Sequence, residues 1–287
     1  MTRFLVVGAR GLVGTELCGL LSARGDAVLQ GDLPECDVTD PEGFAAWAGD
    51  AAPDWVVNLA AFTRVDDCEQ DPRTAFRVNG FGPGVVGQWA RRRGAMVVQV
   101  STDYVFDGAK GAPYEWKDPP NPLSIYGMSK LMGEYALEAA MAGDRLLVVR
   151  GQSLYGGGGK SFPDAILEAA RTRREIPVVT DQRVSPTWAR DFAGGLLRLV
   201  DMREYGVFHL SASGDCTWNE FAKAVLEEAG VSEARITATT SEALGRPARR
   251  PASSVFDLRD YEQVTGASPR PWREQLRDYL RSTGRAA

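Results

Sequence analysis

Tyr126 and Lys130 stand four residues apart in Tyr-Gly-Met-Ser-Lys. On a helix that spacing puts both side chains on one face. An ammonium beside a phenol stabilises the phenolate and is expected to draw the tyrosine pKa down from about 10. Such a tyrosine can give or take a proton. Upstream, the largely apolar run Val97-Val98-Gln99-Val100 delivers Ser101, Thr102 and Asp103 at its carboxyl end, where parallel sheets bind ligands. Near the start of the chain, Gly8-Ala9-Arg10-Gly11-Leu12-Val13-Gly14 follows a short apolar run and opens a helical pattern. Gly8 permits a tight turn, Gly11 lets a pyrophosphate approach the backbone at a helix N-terminus, and Gly14 lets helix and strand pack closely. Asp32 follows 18 residues after Gly14. Its carboxylate suits the ribose hydroxyls of NAD, whereas the guanidinium of Arg10 suits the 2′-phosphate of NADP. NAD(H) and NADP(H) are both expected to bind, without a ranking. Asp37 either receives an adenine edge or caps a helix that begins at Pro41.

The elements that must position these groups are legible as alternating short apolar runs and helical patterns. Strands are expected at Phe4–Gly8, Ala27–Gln30, Trp55–Leu59, Ala95–Ser101 and Leu146–Arg150, and helices at Leu12–Arg24, Pro41–Gly49, Arg73–Arg93 and Ser124–Met141. Continuous apolar strands alternating with helices imply a parallel sheet covered on both faces. Asn58-Leu59-Ala60-Ala61 ends the third strand in small residues beside the same crevice. After Arg150 the pattern changes. Gly156–Gly159 reads as a loop; helices follow at Pro163–Arg174 and Trp188–Met202, with strands at Ile176–Val179 and Gly206–Leu210. Thr217-Trp218-Asn219-Glu220 fits a capping box opening a helix to Ala229, and Pro271 starts a last amphipathic helix over Trp272–Leu280. The fold class is therefore α/β, a doubly wound parallel Rossmann sheet with a smaller C-terminal substrate-binding lobe. Residues 1–150 form the dinucleotide-binding domain, and 151–287 mainly the lobe, with some segments returning to the sheet.

Composition removes other classes. The 287 residues carry 33 Lys+Arg against 38 Asp+Glu, a net charge of −5, which argues against a general nucleic-acid binder. The basic runs Arg91–Arg93 and Arg171–Arg174 read as helix surface. No apolar stretch reaches the roughly 18 residues of a membrane span, and no export signal is visible, so a cytoplasmic location is expected. Cys18, Cys36, Cys68 and Cys216 are scattered and His209 is the sole histidine, so neither a disulfide framework nor a metal site is expected. His209, within a short strand, reads as a structural, hydrogen-bonded histidine. A homodimer is compatible with this reading.

Three blocks carry a resemblance: Asp54–Asp66 (Asp-Trp-Val-Val-Asn-Leu-Ala-Ala-Phe-Thr-Arg-Val-Asp), Ser101–Gly108 (Ser-Thr-Asp-Tyr-Val-Phe-Asp-Gly) and Tyr126–Glu134 (Tyr-Gly-Met-Ser-Lys-Leu-Met-Gly-Glu). Val179–Thr187, Gly206–Leu210 and Ala248–Pro251 (Ala-Arg-Arg-Pro) extend it in the same order. The chain resembles an extended short-chain dehydrogenase/reductase, and within that superfamily the dTDP-4-dehydrorhamnose reductase family. The resemblance implies reduction of the C4 keto group of a nucleotide-linked 4-keto-6-deoxy sugar. It implies Tyr126 as proton donor, Lys130 as holder of the nicotinamide ribose, and Thr102 as hydrogen-bond donor to the developing alkoxide. By the same resemblance Thr102 and Asp103 contact the sugar. Gly11, Leu12 and Val13 line the pyrophosphate, Asp32, Asp37 and Val38 the adenosine, and Ala61, Phe62 and Thr63 the nearer part of the dinucleotide. Arg249 or Arg250 is expected to hold the substrate diphosphate, since guanidinium forks suit phosphate.

One departure stands out. Where the family commonly has Thr-Ser-Trp-Val-Tyr after the strand-ending arginine, this chain has Gly151-Gln152-Ser153-Leu154-Tyr155. Ser153 takes the place of a tryptophan that flanks the sugar, so the aromatic platform is lost unless Tyr155 or Trp188 substitutes. Two other functions compete. A nucleotide-sugar epimerase would share the Tyr/Lys pair. A non-catalytic dinucleotide-binding regulatory subunit would share the fold, although the complete Thr102, Tyr126 and Lys130 set argues against it. A 4,6-dehydratase is disfavoured because Tyr104, not a second carboxylate, follows Thr102-Asp103.

Overall fold

The structure is a computed structural model and describes residues 1–142, 145–157 and 161–286. Gly158 and Gly159 of the expected glycine loop lie outside the described residues. The chain begins with β1 (Arg3–Val7), α1 (Leu12–Ala23), β2 (Ala27–Gly31), α2 (Pro41–Ala48) and β3 (Trp55–Asn58). A short α3 (Val65–Gln70) follows, unforeseen in the sequence. The single long helix expected over Arg73–Arg93 is instead α4 (Pro72–Ala75), a π-helical stretch (Phe76–Phe81) and α5 (Gly82–Arg92). Pro83 lies in this run, and a proline there cannot supply the i→i−4 bond of a continuous α-helix. The wider π turns just before it lie against the site.

Next come β4 (Met96–Thr102), a 3₁₀ turn (Asp103–Val105), α6 (Ile125–Met141), β5 (Leu146–Gly151) and β6 (Leu154–Tyr155). The lobe adds α7 (Phe162–Thr172), β7 (Glu175–Val179), β8 (Arg183–Val184) and β9 (Thr187–Trp188). The chain continues through α8 (Ala189–Asp201), β10 (Gly206–Leu210), β11 (Cys216–Thr217), α9 (Trp218–Glu228), β12 (Arg235–Thr239), α10 (Ser241–Leu244), α11 (Arg259–Thr265) and α12 (Trp272–Ser282). The expected capping box of α9 is formed: Thr217 Oγ1 accepts from the Glu220 N–H, and Glu220 accepts from the Thr217 N–H.

Six parallel strands make one sheet in the order β10-β5-β4-β3-β1-β2. The order reverses between β1 and β3, so a crevice opens beyond their carboxyl ends. β1 is buried on both faces, with Leu5, Val6 and Val7 wholly inaccessible; full burial of each such side chain stabilises by about 1.5–3 kcal/mol. Leu17, Leu21, Phe192 and Leu196 of α1 and α8 cover one face. Phe44, Val86, Trp89 and Leu137 of α2, α5 and α6 cover the other. β10 pairs with β5, so the segment Ala189–Leu210 returns to the sheet. A separate apolar core (Tyr155, Trp188, Phe221, Val225, Leu276, Tyr279) holds the C-terminal lobe.

Candidate active site

The crevice is a cleft of about 560 Å³ at the carboxyl ends of the strands, roofed by the lobe. The glycine turn forms its floor. Gly8 has φ +78°, and a Cβ there would lie 2.8 Å from the Ala60 nitrogen at the end of β3. A Cβ on Gly14 would lie 2.3 Å from the Gly8 carbonyl oxygen. Both positions therefore admit only glycine, and α1 starts close against β1 and β3. Gly11 caps α1 with no side-chain bond, and the first turn carries no acidic residue. That leaves the positive end of a 12-residue helix facing the cleft, an anion site. Asp32, Asp37 and Val38 line the next part, then Ala61 and Thr63. This chain's residues fit a dinucleotide laid across the switch point. Asp37 bonds the Thr39 N–H, while the helix cap that the sequence left open falls to Asp40, which accepts from Glu42 and Gly43.

Ser124 caps α6 by accepting from the Gly127 N–H at 3.2 Å, and α6 then carries Tyr126 and Lys130 into the cleft beside Thr102 and Asp103. A Cβ on Gly127 would lie 2.2 Å from the Tyr104 carbonyl oxygen, so the helix seats directly on the 3₁₀ turn. The Tyr126 ring meets Tyr104 edge-on, centroids 5.5 Å apart. Thr102 Oγ1 accepts from the Tyr104 N–H and donates to Asp103 Oδ1 at 3.0 Å.

The electrostatics differ from the expectation. Burial pushes the Tyr126 phenol well above 10, opposed by its hydrogen bond with Thr102. Lys130 is not what governs it: its ammonium donates to the Val100 carbonyl at 2.7 Å. Burial lowers Lys130 to about 8, and Glu134 works against that shift. Desolvation of the phenolate is the largest influence on Tyr126, and Lys130 is not among the groups that shift it. A phenol that keeps its proton at neutral pH suits a proton donor rather than an abstracting base. Burial likewise raises Asp103, against hydrogen bonds from Ser254 (2.5 Å), Gln152 (3.2 Å) and Thr102.

Several supporting residues were not visible in the sequence. Asn79, in the π stretch, is buried. Its Oδ1 accepts from the Phe62 N–H at 2.8 Å, and its Nδ2 donates to the Phe62 carbonyl and to Ser129 Oγ, each at 3.0 Å. Through Asn79, Ser129 thus fixes α6 to the turn after β3. Beneath Thr102 and Lys130, Arg150 and Glu134 form a buried ion pair at 2.8 Å, and Ser101 donates to the same carboxylate.

Not every expected residue reaches the cleft. Phe62 is half-buried beside it, with Arg64 over its ring at 5.4 Å, and does not line it. Arg249 is exposed on a separate recess with Gln182, Ser241 and Arg246. Arg250 is engaged by Asp66 at 3.0 and 2.9 Å. Ser153 does line the cleft, in left-handed backbone (φ +47°). Neither Tyr155 nor Trp188 replaces the missing aromatic: both are buried in the lobe core. Trp218, at the first turn of α9, lines the cleft instead. His209 is buried outside the cleft, stacked on Phe256 with Nδ1 bonded to the Tyr114 carbonyl at 3.0 Å.

Residues 2–284 match the model of the RmlD substrate binding domain. The chain belongs to the RmlD family. Its relatives include the spore coat polysaccharide biosynthesis protein SpsK of Bacillus subtilis, 40% identical over all of this chain and 99% of that protein. The dTDP-4-dehydrorhamnose reductase of Streptomyces griseus is 38% identical over 96% of this chain and 91% of its own. Among solved structures, the dTDP-4-dehydrorhamnose reductase of Clostridium acetobutylicum superposes with a TM-score of 0.94 at 34% identity, covering 98% of this chain and 99% of that one. That of Bacillus anthracis, solved with NADP, gives 0.93 at 29% identity over 98% and 99%. The long RmlD match spans sheet and lobe alike, and its shared architecture is an α/β fold around a parallel sheet.

Proposed function

We propose that this RmlD-family chain is an NAD(P)H-dependent reductase of the C4 keto group of a nucleotide-linked 4-keto-6-deoxyhexose, of the dTDP-4-dehydrorhamnose reductase type. The carrying observation is that Tyr126, with its proton held by burial, and Thr102 share one cleft with the glycine turn. The dinucleotide, when bound, supplies the hydride. Gly8, Gly11, Leu12, Val13 and Gly14 hold its pyrophosphate, Asp32, Asp37 and Val38 its adenosine, and Ala61 and Thr63 its nearer part. Tyr126 gives its phenolic proton to the carbonyl oxygen as negative charge develops there. Thr102, its hydroxyl turning from Asp103 Oδ1, donates a second hydrogen bond to that oxygen, stabilising the alkoxide. Lys130, fixed by the Val100 carbonyl, presents a cation to the nicotinamide ribose. Asp103 and Ser153 border the sugar, and Trp218 supplies the apolar wall that the serine does not.

Residues 1–150 serve as the dinucleotide domain, and 151–287 mainly as the sugar lobe. No helix among the described residues is long and apolar enough to cross a membrane. The four cysteines are unpaired and buried, which supports a cytoplasmic setting. The test is consumption of reduced nicotinamide against a panel of dTDP-linked 4-keto-6-deoxyhexoses, with product NMR. Stoichiometric oxidation supports a reductase; product formation with no net oxidation would make the chain an epimerase.

A further inference from the structure

We propose that Glu35 sets the dinucleotide preference of this chain, holding Arg10 away from the adenosine ribose so that Asp32 alone faces it and NADH is favoured over NADPH. The proposal rests on the cleft being the dinucleotide site. Asp32 ends β2 and lines the cleft. Both of its oxygens are fixed by backbone: Oδ2 accepts from the Arg10 N–H at 2.8 Å and Oδ1 from the Leu33 N–H at 2.9 Å. A carboxylate pinned in this way is placed to accept from a ribose hydroxyl and cannot swing aside for a phosphate.

Arg10 is the group that could reverse this choice, yet its side chain does not line the cleft. Its guanidinium turns outward to Glu35 Oε2 at 2.5 Å, with the two side chains 62% and 54% exposed. Asp32, Glu35 and Arg10 together carry one net negative charge at the rim. A 2′-phosphate, at about −1.5 to −2, would meet a fixed carboxylate and a guanidinium already neutralised. An exposed ion pair is weak, and a phosphate offers a guanidinium a better fork. The discrimination that Glu35 contributes is therefore graded, at most about fivefold, the scale of one exposed ion pair.

The experiment is calorimetric titration of the full chain with NADH, NADPH, ADP and adenosine 2′,5′-bisphosphate. It is repeated on Glu35→Gln, Arg10→Ala and the double variant. Both side chains are exposed, so the fold is preserved. Wild type should bind NADH about fivefold tighter than NADPH. Glu35→Gln should narrow that ratio by about two- to fivefold, and adding Arg10→Ala should restore it, whereas Arg10→Ala alone changes little. A wild type that binds NADPH as tightly as NADH, or a Glu35→Gln variant with an unchanged ratio, overturns the proposal alone. Failure of every one of these ligands to bind would overturn the cleft assignment as well.

Discussion

Replacing Tyr126 by Phe deletes one hydroxyl and little else. The ring keeps its edge-on contact with Tyr104 at 5.5 Å, and the hydroxyl's hydrogen-bonding neighbour is Thr102. Loss of one such bond costs about 1 kcal/mol of stability, so the variant should fold and bind dinucleotide like wild type. Its catalytic loss should be far larger. A positioned proton donor contributes about 10²–10⁴ in rate, which is about 3–5 kcal/mol of barrier. Initial-rate oxidation of reduced nicotinamide would be measured at saturating dTDP-4-keto sugar, beside dinucleotide titration and thermal melting. Thr102→Val and the double variant complete a cycle. Both hydroxyls act on one oxygen, so the double variant should lose less than the two single losses combined. A Tyr126→Phe enzyme with wild-type kcat would refute the assignment of the proton donor. A fully additive cycle would refute the shared oxygen.

Other outcomes follow from the neighbours of this pair. Burial that lowers Lys130 from 10.5 to about 8 costs folding about 3 kcal/mol at neutral pH, and the bond to Val100 offsets about 1. Lys130→Met should therefore melt about 5 °C higher at pH 7 while losing turnover. Because the folded value lies below the unfolded one, wild type should regain stability relative to Lys130→Met as pH rises from about 8 towards 10.5, and its kcat should fall through about 8 as the ammonium is lost; a higher-melting wild type at pH 7 would contradict the burial argument. Trp218→Ala should raise KM for the sugar by about tenfold and leave the dinucleotide Kd unchanged, and equal effects on both would move Trp218 out of the sugar site. Asn79→Ala strands the Phe62 N–H and carbonyl, costing about 2–4 kcal/mol and lowering kcat; Asn79→Asp, lacking the amide donor, should not rescue it in melting or in turnover.

The parallel sheet and the glycine turn were legible because they are local. Continuous apolar runs such as Phe4–Val7 report burial on both strand faces, and Gly14 reports a contact made within one strand-turn-helix unit, whereas the Gly8 contact with Ala60 is long-range. The segment around the π stretch was not legible. Its geometry answers to Pro83 and to the Asn79 bonds with Phe62 and Ser129, 17 and 50 residues away in sequence. The lobe's small strands were missed for a related reason. Two-residue pairs such as β11 with β8 are too short to show a period, and their partners lie far along the chain.

For the site itself, the chain's own order of residues determined that Tyr126 and Lys130 share a helix face, that Thr102 ends a strand, and that a dinucleotide turn precedes both. Tertiary structure alone decided their electrostatic state and their company. Burial, a sum over many distant neighbours, holds the phenol protonated where helical spacing suggested acidification by lysine. Only the packing of the lobe against the sheet brings Trp218 to the cleft, buries Tyr155 and Trp188, and leaves Arg249 outside, since which side chains meet across a cleft depends on elements that sequence spacing does not relate.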